Sequence, residues 1–257
     1  MRASKFPEER RQQIIYLLKQ EGKVTAQNLS VRLNVSEDTI RRDLKDLELS
    51  GHLTRVHGGA LPRSPSHSPY SARQTQNTNA KISIAKEVTK LINSDQVIFI
   101  DSGTTALEVA RQLPFDLNIT VITNSPPVLI ALSEHPNINV ILLGGVLNKK
   151  SMALTGNTTQ NALSKIRADI CILGVCSLHD ELGVTTTDFE EAELKRVMIE
   201  NSSEIIVPIT ADKLGTAAPF GITTIEDISH IVTESTAPEK ILTPYQKAGI
   251  SITKVKS

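Results

Sequence analysis

The chain lacks net charge: 28 Lys and Arg stand against 28 Asp and Glu in 257 residues. That balance argues against indiscriminate nucleic-acid binding by the whole surface. Long apolar runs are also missing. None approaches the ~18 residues of a membrane span, and residues 1–5 have no signal-peptide core behind them, so the chain is expected in the cytosol. Cysteine is scarce, with two in all, Cys171 and Cys176, in or beside the apolar run 170–175. A disulfide or a metal pair remains open, but two buried, reduced thiols are the simpler reading. The six histidines show no ligand spacing, so no metal or cofactor is expected. No internal repeat is visible.

What is present is unevenly placed. Residues 1–61 carry 11 Lys and Arg against 8 Asp and Glu, and the remainder 17 against 20. A mildly basic head on a mildly acidic body suits a head that meets phosphates.

The head is organised around residues 36–51. Ser36 suits an N-cap, and Glu37 and Asp38 put negative charge at the positive end of a helix dipole. Val35 can staple back onto Ile40, and Gly51 allows the left-handed stop. Ile40, Leu44 and Leu47 share one apolar stripe. At about 100° per residue, Arg41, Arg42 and Lys45 point away from it. A solvated face with the pairs Glu37–Arg41 and Asp38–Arg42 would satisfy the same pattern. Leu49 falls awkwardly on the polar side, where a wing would have to cover it.

The neighbouring segments favour a DNA-binding reading. Pro7, Glu8 and Glu9 open a first helix that Gly22 ends, with Ile14, Leu17 and Leu18 as its apolar face. Thr25 caps a second helix carrying Ala26, Leu29 and Leu33, and Asn34 turns the chain into the third. In a helix-turn-helix the second of the paired helices lies in the major groove. Residues 52–61 then read as a hairpin around Gly58 and Gly59, a wing on which Arg55 and His57 can meet phosphate or the minor groove.

The run 35–44, followed by Arg55-Val-His-Gly-Gly-Ala60, resembles the N-terminal domain of the DeoR family of bacterial transcriptional regulators. The resemblance implies a helix-turn-helix over residues 24–43, opening at Val24 and closing at Asp43. Arginines there would read guanine edges and phosphates, while Ser36 and Thr39 donate to backbone oxygens.

Residues 62–79 alternate proline and serine without apolar periodicity. They read as a linker that lets the head move and invites proteolysis, with a helix beginning after Tyr70. From residue 80 to 257, helices alternate with short buried strands. Strands are expected at 96–100, 119–123, 139–143, 168–175, 204–209, 228–233 and 251–255. This pattern predicts an α/β fold: a mostly parallel sheet covered on both faces.

Ligands of such sheets sit beyond the carboxyl ends of the strands. Asp101, Ser102, Gly103, Thr104 and Thr105 form a strand-to-helix loop suited to phosphate or carboxylate, although a plain Thr-capped turn would look alike. Asn124, Gly144 and Gly145 follow later strands, and Lys213 lies in a loop after another. Glu191 and Lys195 read as a surface i, i+4 pair. These loops also resemble the DeoR effector domain, whose fold is similar to ribose-5-phosphate isomerase. The resemblance implies a phosphorylated sugar as effector, with Asp101 to Thr105, Asn124, Gly144, Gly145 and Lys213 at the family's ligand positions. Thr210 stands where the family often has Asp, three residues before Lys213, a departure that would tune the lysine loop to a different ligand.

The expected function is a transcriptional regulator, most often a repressor in that family, acting on carbohydrate-metabolism genes. Its expected partners are double-stranded operator DNA, a sugar-phosphate effector and further copies of itself as a dimer or tetramer, with no membrane. Two other readings remain: a sugar-phosphate isomerase or deaminase with a DNA-binding appendage, and a regulator whose pocket is purely structural.

Overall fold

The computed structural model describes residues 6–256; the signal-peptide expectation for residues 1–5 lies outside them. The head runs α1 (Pro7–Glu21), β1 (Val24–Thr25), α2 (Ala26–Leu33), α3 (Glu37–Leu49), β2 (Leu53–Val56) and β3 (Gly59–Pro62). Thr25 Oγ1 accepts the Asn28 N–H at 3.1 Å, and Ser36 Oγ accepts that of Thr39 at 3.2 Å. Asn34 turns at φ 52° between the paired helices. After α3, Gly51 sits at φ +80° and its N–H donates to Glu48 O at 2.9 Å, closing the helix. Ile40, Leu44 and Leu47 pack with Ile14, Leu18, Leu29 and Leu33 in one core.

The wing is a three-stranded antiparallel sheet in the order β1-β3-β2. β1, only two residues long, is too short to show any alternation in the sequence. Glu48 ties the wing to α3 by accepting the Arg55 N–H at 2.8 Å. Leu49, one residue further round the helix, stays 78% exposed, so the wing does not cover it.

Residues 62–79 do not hang free between head and body. Pro65–His67 forms a 3-10 turn, followed by α4 (Tyr70–Thr75) and the start of α5 (Thr78–Thr89). Ser64, Ser66 and Tyr70 are buried. The serines, read from sequence as solvated spacer residues, instead spend their hydroxyls on the body: Ser64 and Ser66 both donate to Cys176 O. In this stretch proline–serine composition marks neither a lack of helix nor a lack of contacts. The expected mobile, protease-sensitive tether is replaced by a packed strap.

The body continues with β4 (Val97–Ile100), α6 (Thr104–Arg111), β5 (Ile119–Thr123), α7 (Pro126–Leu132), β6 (Ile138–Leu142), β7 (Val146–Asn148), β8 (Ala153–Thr155), α8 (Asn157–Leu163), β9 (Ala168–Ile172), β10 (Ser177–His179), β11 (Gly183–Thr186), α9 (Phe189–Glu200), β12 (Ser202–Pro208), β13 (Phe220–Thr223), β14 (His230–Glu234), α10 (Glu239–Lys247) and β15 (Ser251–Val255). Seven strands form one parallel sheet in the order β15-β14-β12-β9-β4-β5-β6. Apolar clusters cover both of its faces. Two parts were not foreseen: the hairpin β7–β8 and the small antiparallel sheet β10-β11-β13. Both are built from three- and four-residue strands.

The strand order places the site. From β4 the chain winds outward through β5 and β6, then crosses back to β9 and winds the other way. β4 and β9 are therefore neighbours whose following connections leave in opposite directions, and a crevice opens between them at their carboxyl ends.

Candidate functional site

In the head, Ser36, Thr39, Arg41, Arg42 and Lys45 lie at the start and along α3, and Arg55 and His57 lie on the wing. Arg41, Arg42, Lys45, Arg55 and His57 are exposed. Arg41 is held by Glu37 Oε2 at 2.9 Å and Asp38 Oδ1 at 3.2 Å. Asp38 thus turns to Arg41 rather than to Arg42 as expected from spacing. Among the described residues, no ion pair involves Arg42 or Lys45. Two unneutralised cations on an exposed helix face remain available to phosphates or base edges.

In the body, a cavity of about 370 Å³ opens at the crevice beside β4 and β9. Its floor is the loop after β4, where Ser102, Gly103, Thr104 and Thr105 lead into α6. Gly174, just past β9, passes so close to this loop that a Cβ there would overlap Ser102 O. Its N–H donates to Asp101 Oδ2 at 2.9 Å. Lys195 from α9 also donates to Asp101 Oδ2, and to Gly174 O at 2.8 Å. Asp101 and Lys195 are both fully buried, or nearly so.

Charge is finely balanced here. Burial works against the Lys195 ammonium, but Asp101 and Glu191 outweigh it and its pKa is raised. Burial raises the Glu191 carboxyl despite Lys195 nearby. Glu191 accepts from Asn148 Nδ2 at 3.1 Å, which ties α9 to the β7–β8 hairpin. The expected surface pair Glu191–Lys195 is thus corrected: both side chains line the cavity, and the lysine's partner is Asp101. Helical spacing gave their mutual register but not which face of α9 is buried.

Lys213 donates to Val175 O at 3.0 Å and lines the cavity, its pKa lowered first by burial. Arg73 of the strap lines it too, donating to Ser68 O and Lys150 O, each at 3.1 Å. Thr105 Oγ1 is buried without a hydrogen-bond partner. An orphan hydroxyl, a helix N-terminus and five cationic side chains (Arg73, Lys149, Lys150, Lys195 and Lys213) against the carboxylates of Asp188 and Glu191 give the cavity a preference for an anionic, hydroxylated ligand.

Ser102, Gly103, Thr104, Thr105 and Lys213 therefore come together, with Asp101 immediately behind them. Asn124, Gly144 and Gly145 do not line the cavity. Asn124 Nδ2 and its carbonyl hold Leu154, and Gly144 O accepts from Thr159 Oγ1 at 2.6 Å, so these residues brace β8 and α8 instead. Sequence reasoning missed Arg73, Gly174, and the cavity roles of Glu191 and Lys195. Gly174 had a signal, since a glycine lies two residues past the end of β9, but the expected strand ran through it.

Cys171 is buried and Cys176 half-buried, both as free thiols. No helix among the described residues is long and apolar enough to cross a membrane.

Two family models match the chain: a DeoR-like helix-turn-helix domain over residues 10–65, and the DeoR C terminal sensor domain over 76–235. The HTH-type transcriptional regulator GolR of Listeria innocua serovar 6a is 35% identical over 249 residues, 96% of this chain and 98% of that protein. The Glycerol-3-phosphate regulon repressor of Escherichia coli (strain K12) is 32% identical over 230 residues, 89% of this chain and 91% of that one. Among solved structures, ribose 5-phosphate isomerase A from Methanocaldococcus jannaschii is similar at a TM-score of 0.38 and 19% identity, over 51% of this chain and 52% of that one.

Proposed function

Since the chain belongs to the DeoR family of transcriptional regulators, we propose that it represses carbohydrate-metabolism genes under the control of a phosphorylated sugar bound in the cavity beside β4 and β9. The observation that carries this reading is the union of an unneutralised recognition helix with an anion-favouring cavity in one chain. A regulon named for glycerol 3-phosphate in a relative supports the ligand class. Operator recognition by two heads calls for a homo-oligomer, a dimer or tetramer, acting in the cytosol where the DNA is.

DNA contacts fall to Ser36, Thr39, Arg41, Arg42, Lys45, Arg55 and His57. The ligand falls to Ser102, Gly103, Thr104, Thr105 and Lys213, with Asp101 holding Lys195 in place. Catalysis is the weaker reading. The relatives that span the chain are named as transcriptional regulators, and no carboxylate in the cavity is compelled into a catalytic role by its spacing.

A thermal-shift panel tests the ligand class. Phosphorylated sugars and glycerol 3-phosphate are compared with their unphosphorylated counterparts on the full chain. At least one phosphorylated compound should raise the Tm while its parent sugar does not; a panel with no phosphate-dependent shift overturns the assignment.

A further inference from the structure

The strap touches both machines. We infer that residues 63–73 are the mechanical link by which an anion in the cavity acts on the recognition helix, with Arg73 as the group the anion engages. This rests on the ligand-binding reading above.

At the cavity end, Arg73 is a cation that donates to two carbonyls, Ser68 O and Lys150 O, while its guanidinium lies 5.6 Å from the Tyr70 ring centre. Among the described residues, no ion pair involves it. A phosphate offers the guanidinium a full opposite charge and a bidentate match that two separate carbonyls lack. A phosphate in the cavity therefore draws Arg73 off these carbonyls, and Ser68 is freed next to the 3-10 turn. Lys81 holds the carbonyls of Arg73 and Gln76, fixing this end of the strap to α5.

At the head end, Ser64 is tied to Cys176 O, and Arg63 makes a parallel bridge with Ala217 in the loop that also carries Lys213. The Arg63 guanidinium lies directly over Gly51, so close that a Cβ there would overlap it. Gly51 closes α3. A shift of the strap thus reaches the recognition helix through one side chain. The first family match ends at 65 and the second begins at 76, so Arg63 and Ser64 close the head's match while Ser66 to Arg73 lie between the two.

The test uses the full chain, a duplex selected by it from a random pool, and ribose 5-phosphate and inorganic phosphate as probes. Arg63→Ala with Ser64→Ala removes the guanidinium from Gly51 and the Ser64 tie to Cys176 O, the side-chain part of the link, without touching a cavity-lining residue. Wild-type duplex affinity should change roughly fivefold or more on adding a probe, and by less than about twofold in the double variant. Probe affinity should stay within about threefold of wild type, these bounds being set against the fivefold coupling. In wild type, the probe should also alter hydrogen exchange across residues 63–73. Full coupling in the double variant, loss of its probe binding, or unchanged wild-type exchange in the strap would each overturn the inference. If wild type binds neither probe, or binds one with no effect on duplex affinity, the functional reading itself fails and takes this inference with it.

Discussion

Arg10 of α1 forks onto Asp43 of α3, Nε to Oδ2 at 2.5 Å and Nη2 to Oδ1 at 3.1 Å, with both side chains buried. Arg11 Nε adds a third contact to the same carboxylate at 3.3 Å. This clamp fixes the roll of α3, which keeps Arg42 and Lys45 outward. Asp43→Ala leaves Arg10 buried and uncompensated, so it should destabilise the head by roughly 3–5 kcal/mol. Arg10→Met together with Asp43→Leu should recover most of that loss. Urea unfolding, with hydrogen exchange of α3 as the local readout, checks both.

Among the described residues Arg42 and Lys45 make no ion pair, whereas Arg41 is already shared between two carboxylates. Arg42→Ala and Lys45→Ala should each weaken duplex binding. Each should also flatten the dependence of log K on log[salt] by about 0.9 for every phosphate contact removed. Arg41→Ala should change the slope less, because Glu37 and Asp38 partly neutralise it beforehand. Anisotropy titrations at several salt concentrations separate the three.

Asp101→Ala is a poor probe of ligand binding, because it strands the buried Lys195 ammonium and should cost roughly 3–5 kcal/mol of stability. Thr105→Val is the cleaner substitution. Its buried hydroxyl has no partner among the described residues, so the variant should melt at or above the wild-type temperature yet lose about tenfold or more in effector affinity, the scale of one lost polar contact. Calorimetric titration beside a thermal melt checks it. Unchanged effector affinity would remove Thr105 from the site.

The parts legible in the sequence were those with local causes. Thr25, Asn34 and Ser36 mark helix ends by their own chemistry, and Ile40, Leu44 and Leu47 mark a buried stripe by spacing alone. The loop from Asp101 to Thr105 was visible as a glycine and hydroxyls between a strand and a helix. Long-range meetings were not legible. Nothing near Lys195 says that it faces Asp101, because that depends on β4 and β9 being neighbours. Arg73 was hidden by a proline–serine context that reads as solvent. Asn124, Gly144 and Gly145 follow strands as a ligand loop would, but β5 and β6 lie away from the crevice, so their chemistry serves packing.

Lys81 gives a pH signature. Burial, then Lys213 and Arg73, lower its pKa to about 8. In the unfolded chain the group titrates near 10.4, so between those values the unfolded state binds more protons and stability rises with pH. The penalty for burying the ammonium is fully present below pH 8 and disappears by the upper value. Allowing for screening, the gain is on the order of 1–2 kcal/mol. Lys81→Met should flatten this rise in urea melts from pH 7.5 to about 10; an identical slope in variant and wild type would show that another group causes it.

The most direct measurement of the whole account is duplex affinity of the full chain with and without a phosphorylated sugar, followed by anisotropy on a selected duplex. The expected result is salt-sensitive binding that one such sugar shifts by roughly 5- to 150-fold, while its unphosphorylated parent leaves it unmoved. Binding that ignores salt, or ignores every phosphorylated sugar offered, would contradict it.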